Sequence, residues 1–212
     1  MASEDIPGND PWWFRYIIQR VIWVPEGDVK STLRRKCRAE RDRFVAAMAP
    51  GQKALAFSHL PSPLAKLCLK GTVVAGYISI GSEADPSHLL AGAASQGCII
   101  ALPHVTSKVS PMRFLHWSAG EPLEMGPFGL SQPLADAPEV RPDIILAPLV
   151  AFDTRLMRLG QGAGHYDRAL SLLENSAAIG IAWSIQEVDL VPTDPWDIPL
   201  DAILTEKSWI SR

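Results

Sequence analysis

Residues 144–173 constrain this chain more than any other stretch. They open with an apolar run, Ile144-Ile-Leu-Ala-Pro-Leu-Val-Ala-Phe152, of the length and composition of a buried strand. They continue through Arg158-Leu-Gly160-Gln-Gly162-Ala-Gly164-His165-Tyr166-Asp167-Arg168 and close in a helical pattern over residues 166–173. Strand, glycine-rich loop and helix, in that order, form the unit from which α/β layer folds are built. Glycine lets a backbone come close to a ligand, and arginine grips phosphate or carboxylate. The loop therefore reads as an anion cradle at a strand's carboxyl end, ahead of a helix N-terminus.

The rest of the chain repeats the alternation. Strands are expected over residues 73–80, 98–103, 112–117, 144–152 and 177–183, with a short last one over 201–205. Helices are expected over 29–48, 54–60 and 87–96, the first with Asp28 as N-cap and the second broken by Pro61 and Pro63. Residues 120–142, rich in proline and glycine, read as a long loop. The pattern predicts an α/β layer fold with a mainly parallel sheet. Residues 1–27 read as an N-terminal extension and 28–212 as the domain. Within the extension, Trp13, Phe14, Ile17, Ile18, Val21 and Ile22 fall near helical spacing. A short helix packed on the domain is the plain reading, and a partner or membrane-surface contact is the alternative.

Composition narrows the function classes. The 212 residues are 47% hydrophobic and 20% charged, which are globular values. A net charge of −3 gives no general attraction to nucleic acid or to an anionic membrane. No segment reaches the roughly 20 apolar residues of a membrane span. Cys37, Cys68 and Cys98 are odd in number and far apart in sequence, so free thiols and a cytoplasmic location are expected.

Several side chains can carry chemistry. Gly160, Gly162 and Gly164 can aim backbone N–H groups at phosphate oxygens, with Arg158 adding a charged fork. The chain has neither GxxxxGK[ST] nor GxGxxG, so it matches neither a Walker A loop nor a dinucleotide fingerprint. By spacing alone, an ordinary glycine-rich turn remains the alternative. Asp167 beside a phosphate loop is a candidate magnesium ligand, with Asp197 or Asp201 as a second carboxylate; a helix-terminus carboxylate without an ion, and turn or cap residues, are the respective alternatives. Glu83, in Gly81-Ser-Glu-Ala-Asp85, follows the first strand, where an acid would face the same crevice; a surface turn acid is the alternative. His165 sits inside the loop and can bond phosphate or polarise a substrate. The other histidines show no metal-ligand spacing. The helix over 29–48 is strongly basic, which for most of its residues reads as a solvated face.

Taken together these residues resemble the 5-formyltetrahydrofolate cyclo-ligase family, also called methenyltetrahydrofolate synthetases. The central signature is Pro148-Leu-Val-Ala-Phe-Asp153 followed by Arg158-Leu-Gly-x-Gly-x-Gly-x-Tyr-Asp-Arg168. Four further blocks stand in the family's order: Lys30-x-x-x-Arg34, Gly81-Ser-Glu83, Pro127-Phe-Gly-Leu-Ser-Gln-Pro133, and Gly180-Ile-Ala-Trp with Pro199-Leu-Asp-Ala-Ile-Leu-Thr-Glu206. The resemblance spans about residues 29–206. It implies a single three-layer α/β/α domain, Rossmann-like, that uses ATP and Mg2+ to convert 5-formyltetrahydrofolate to 5,10-methenyltetrahydrofolate through a phosphorylated formyl group.

Carried over by position, Lys30, Arg34 and the run Arg158, Leu159, Gly160, Gln161, Gly162, Ala163, Gly164, His165 and Tyr166 would hold ATP. Glu83 would bind the pterin, and Gln161, Gly162, Ala163, Gly164 and His165 would also face the folate. Arg158, His165 and Tyr166 are implied as catalytic, and Asp167 and Asp197 as magnesium ligands. The departures are Gln161, Ala163, His165 and Trp196, where the family usually carries other residues. The expected partner is a reduced folate, with no nucleic acid or membrane. A monomer is expected, with a dimer as the alternative. Two rival readings stand beside this one: a paralogue that uses ATP on another substrate, and a non-catalytic folate- or nucleotide-binding protein.

Overall fold

A computed structural model describes residues 26–211. The helix expected in the N-terminal extension lies outside the described residues. Alternation along the central strands decides the architecture. In β6 (Ile144–Pro148), Ile144 and Leu146 join one apolar cluster and Ile145 joins another. The same split separates Val74 from Ala75 in β1 (Val73–Ala75) and Ile179 and Ile181 from Ala178 in β9 (Ala177–Ile181). It separates Ala202 and Leu204 from Ile203 in β10 (Ala202–Leu204). Each strand is therefore buried on both faces and needs a helical layer on each side.

One layer comes from α1 (Glu26–Ala47), α3 (Ser62–Leu67) and α4 (Ser87–Ser95). They contribute Phe44 and Val45, Leu64, and Leu89 with Leu90 to the first cluster. The opposite layer is α5 (His165–Leu172), through Ala169 and Leu170. A short α2 (Pro50–Leu55) follows α1. The result is the expected three-layer α/β/α arrangement.

The main sheet adds β2 (Ile99–His104), β3 (Arg113–His116) and β11 (Trp209–Ser211). Its order is β11-β10-β9-β6-β1-β2-β3. The five inner strands run parallel, and the edge strands β3 and β11 run antiparallel to their neighbours. The chain builds outward from β1 through β2 to β3, then returns to β6 on the other side of β1. That return makes β1 and β6 a topological switch point, and a crevice opens beyond their carboxyl ends.

Some expected boundaries differ. The strand over 73–80 leaves the ladder after Ala75, with one last bond from Gly76 N to the Ala101 carbonyl. Tyr77, Ile78 and Ile80 instead line the crevice. The strand over 144–152 stops at Pro148 because buried Gln186 Nε2 takes the carbonyls of Leu149 and Val150. Ala151–Phe152, as β7, then pairs with β8 (Arg158–Leu159) in a separate hairpin. Pro61 and Pro63 open α3 rather than ending a helix, since the first turn of a helix does not need their missing N–H. Asp28 lies inside α1, not at its cap. The loop over 120–142 contains a hairpin of β4 (Leu123–Met125) and β5 (Ser131–Pro133). Among the described residues no helix is long and apolar enough to cross a membrane.

Candidate active site

The hairpin between β7 and β8 is organised by one buried carboxylate. Asp153, 1% exposed, accepts backbone N–H bonds from Arg155, Met157 and Val191 at 2.9, 3.2 and 3.0 Å. It also accepts a fork from Arg155 Nε and Nη2 at 3.1 and 2.8 Å. Burial pushes this carboxyl's pKa up, but the donors from Val191, Arg155 and Met157 outweigh it and hold the group below the usual carboxylate range. The turn they close contains buried Leu156 at φ +63°, a conformation that a leucine adopts only under constraint.

The hairpin delivers Arg158, which is 6% exposed. Its Nη1 donates to the Ile198 carbonyl at 2.8 Å and its Nη2 to Asp167 Oδ1 at 2.7 Å. Burial lowers its pKa, and the nearby carboxylates of Asp167 and Asp197 work in the opposite direction. Leu159 places its side chain in the core and its carbonyl on Val150 N.

Residues 160–164 then cross the crevice. Gly162 has φ +109°, and Gly164, at φ +67°, is the N-cap of α5. Three carbonyls of the loop accept arginine donors: Gly160 from Arg34 at 2.8 Å, Gln161 from Arg38 at 3.3 Å, and Ala163 from Arg168 at 3.0 Å. Among the described hydrogen bonds, no backbone N–H of residues 160–164 is used as a donor. Unused donors beside a helix N-terminus suit an anion.

The loop forms one wall of a cavity of about 760 Å³. At one end, Lys30 Nζ bridges Asp194 and Asp197 at 2.6 and 2.7 Å. Burial acts to lower the Lys30 pKa, but these two carboxylates raise it, so the ammonium is held charged. Arg34 is pushed down by burial and then by Arg38. At the other end, Glu83 Oε1 accepts Gln161 Nε2 at 2.7 Å and Oε2 accepts Ile80 N at 3.1 Å. Buried Tyr77 and half-buried Tyr166 have raised pKa values, from desolvation first and the Glu83 charge second, so both stay neutral phenols. His165 is held below the usual imidazole range by burial and then by Arg168, whose Nη2 lies 3.1 Å from Nδ1. Ile78, Ile80, Pro103, Val105, Met112 and Leu130 make the remaining wall largely apolar.

All the residues expected in the site line this one cavity. Asp201 does not; its Oδ2 caps Ala178 N at 2.7 Å. Asp167 uses Oδ1 for Arg158, and Asp197 uses Oδ2 for Lys30 and for Asp194 N, so each keeps one oxygen outside these pairs. The described residues hold no group of three or more metal-ligating side chains. Two carboxylate oxygens nonetheless fit Mg2+, which takes most of its ligands from phosphates and water.

Sequence reasoning missed four residues. Arg38 and Arg41 continue the Lys30–Arg34 stripe at helical spacing and also line the cavity. Arg41 is 6% exposed, and its Nε donates to Ser82 Oγ at 2.9 Å. Asp153 stood in the central signature without a role, and Asp194 stood three residues before Asp197. The spacing signal for the two arginines was present but was absorbed into a solvated face.

The model of the 5-formyltetrahydrofolate cyclo-ligase family matches residues 26–206. The chain belongs to that family. It is 35% identical over 139 residues to the 5-formyltetrahydrofolate cyclo-ligase of Haemophilus influenzae, covering 62% of this chain and 74% of that one. It is 34% identical over 145 residues to that of Escherichia coli, covering 64% and 79%. Among solved structures, the 5,10-methenyltetrahydrofolate synthetase of Aquifex aeolicus matches with a TM-score of 0.70 at 28% identity, over 86% of this chain and 92% of that one. The Mycoplasma pneumoniae synthetase matches with a TM-score of 0.62 at 25% identity, over 84% and 98%. Three residues of the last block of the resemblance find structural work here. Trp183 Nε1 donates to the Ser82 carbonyl at 2.9 Å, tying β9 to the Glu83 loop. Gly180 leaves room for Leu149 and Leu200, which a Cβ would meet at 2.7 Å. Glu206 receives Ser184 N at 2.7 Å and Ser184 Oγ.

Proposed function

We propose that this chain converts 5-formyltetrahydrofolate to 5,10-methenyltetrahydrofolate at the expense of ATP. The observation that carries the reading is one cavity with two chemically different ends joined by a single loop. Lys30, Arg34 and the unused N–H groups of residues 160–164 suit a triphosphate, and Glu83 beside an apolar wall suits a pterin. Family membership supplies the reaction.

The chemistry balances as follows. The formyl oxygen attacks the γ-phosphorus, and ADP leaves. N10 of the folate attacks the activated formyl carbon and loses its proton to water, and the C–O bond breaks with release of phosphate. The five-membered ring closes as an amidinium. The chain's part is positioning and charge stabilisation. Lys30 and Arg34 hold phosphate oxygens, and Glu83 orients the pterin through its N–H donors. Arg158 sets Asp167 at the head of α5 and contributes its buried positive charge. His165 and Tyr166, both neutral at pH 7, serve as hydrogen-bond partners of the transferring group rather than as charges. Mg2+ would be held by Asp167 and Asp197 and would supply charge neutralisation on the phosphates.

The test is turnover of 5-formyltetrahydrofolate by purified chain with ATP and Mg2+, followed by the absorbance of methenyltetrahydrofolate. Product that forms only when ATP is present is the expected result. Folded protein that binds ATP but forms no product refutes the reading and favours a paralogue with another substrate.

A further inference from the structure

Both carboxylate oxygens of Glu83 already accept donors from the chain itself. Its Oε1 accepts the Gln161 amide at 2.7 Å, and its Oε2 accepts Ile80 N at 3.1 Å. The Gln161 amide is itself aimed from behind. Its Oε1 accepts Arg38 Nε at 3.1 Å and also Arg38 Nη2. The Gln161 backbone carbonyl accepts Arg38 Nη2 at 3.3 Å. A guanidinium thus grips the acceptor face of the amide and turns its donor face onto the carboxylate. The line Arg38–Gln161–Glu83 runs from the basic helix, through the glycine loop, to the acid at the far end of the cavity.

An amide NH2 is chemically close to what a reduced pterin offers a carboxylate, namely an amino group and an adjacent ring N–H. We infer that Gln161 is a built-in stand-in for the substrate. Its amide satisfies Glu83 until a reduced folate displaces it. This rests on the cyclo-ligase reading and deepens it, because it gives one residue of the loop a specificity role. Glycines flank Gln161 on both sides, and Gly162 sits at φ +109°, so the side chain can leave without disturbing the hairpin that carries Arg158.

Two consequences follow. A ligand must offer Glu83 better donors than an amide, so the stand-in selects for the two-donor edge of the pterin over ligands with one weak donor. Folate also binds only to the population in which Gln161 has let go, which weakens its apparent affinity by that fraction.

The experiment uses the full chain and the substitutions Gln161→Met, which keeps length and removes the amide, and Gln161→Ala. Equilibrium binding of 5-formyltetrahydrofolate is measured without ATP, and turnover is measured with it. Removing the competitor is expected to tighten folate binding roughly three- to tenfold, the scale of one hydrogen bond's typical net contribution. The gain should vanish in a Glu83→Gln background, where the carboxylate that Gln161 satisfies is gone. Weaker folate binding by both variants would make Gln161 a direct folate ligand and overturn the inference, and unchanged binding would overturn it as well. Wild-type chain that turns the substrate over while the variants fail to tighten refutes the stand-in alone. Wild-type chain without turnover refutes the cyclo-ligase reading beneath it.

Discussion

The β7–β8 hairpin and the glycine loop that follows it are neighbours in sequence and opposites in construction. In the hairpin one carboxylate, 1% exposed, receives five donors and clamps a leucine in a left-handed conformation. In the loop the contacts come from outside, through Arg34, Arg38 and Arg168, and two of them are exposed. A buried, fully satisfied network has one arrangement. A loop held by exposed side chains has several of similar free energy. The site is thus a rigid platform that carries an adjustable cradle. The platform fixes Arg158 and Asp167, while the cradle takes its position from the arginines around it.

The largest effect comes from breaking the platform. Asp153→Ala removes the acceptor of three backbone N–H groups and of Arg155, and is expected to cost about 3–5 kcal/mol by urea denaturation. The pH dependence has a definite sign. The folded pKa of Asp153 lies below its unfolded value, so its stabilisation is complete above the ordinary carboxylate range. It is lost as the pH falls through the unfolded value towards the folded one. Asp153→Asn should therefore flatten the acid limb of the stability curve. An acid limb equal to that of the wild type would show that other carboxylates dominate it.

Arg158→Ala comes next. It leaves the Ile198 carbonyl without its donor and Asp167 without its buried partner, and about 2 kcal/mol of stability should go, less than for a fully buried pair because Asp167 is partly exposed. Its larger signature is kinetic: kcat should fall and the KM for ATP should rise. Arg158→Lys should recover part of the stability but not the rate, since an ammonium point charge does not reproduce the fixed planar fork of the guanidinium. Wild-type kinetics in either variant would confine Arg158 to the platform.

The same contrast explains what could be read from the sequence. The sheet was legible because residues such as Ile144, Ile145 and Leu146 form β-rich runs bounded by turn residues, a local signal. The cradle was legible from its glycines and arginines. The splitting of residues 144–152 was not, because it depends on Gln186, which reaches back from more than thirty positions away. Asp153 was unreadable as a keystone for the same reason, since Val191 is one of its donors. Arg38 and Arg41 carried the right helical spacing, but whether a basic face meets solvent or a cavity is decided by what packs opposite. Cys68 and Cys98, thirty positions apart, become neighbours, and burial followed by the charge of Cys98 pushes the Cys68 thiol up to about 11.

The smallest effect separates Gly160 from Gly162 in the cradle. Gly162 sits at φ +109°, and a Cβ there would lie 3.4 Å from Arg34 Cζ. Gly160 has no positive φ, and a Cβ there meets nothing within 4 Å. In the ligand-free chain, Gly162→Ala should cost about 1 kcal/mol, while Gly160→Ala should stay within about 0.5 kcal/mol. ATP changes the comparison. If Gly160 is a glycine so that phosphate can approach its backbone, Gly160→Ala will raise the KM for ATP although it barely touches stability. Should Gly160→Ala leave both quantities unchanged, close backbone approach at that position is ruled out, and the cradle narrows to residues 162–164. The pair of substitutions thus distinguishes a glycine required by the resting backbone from one required by the ligand.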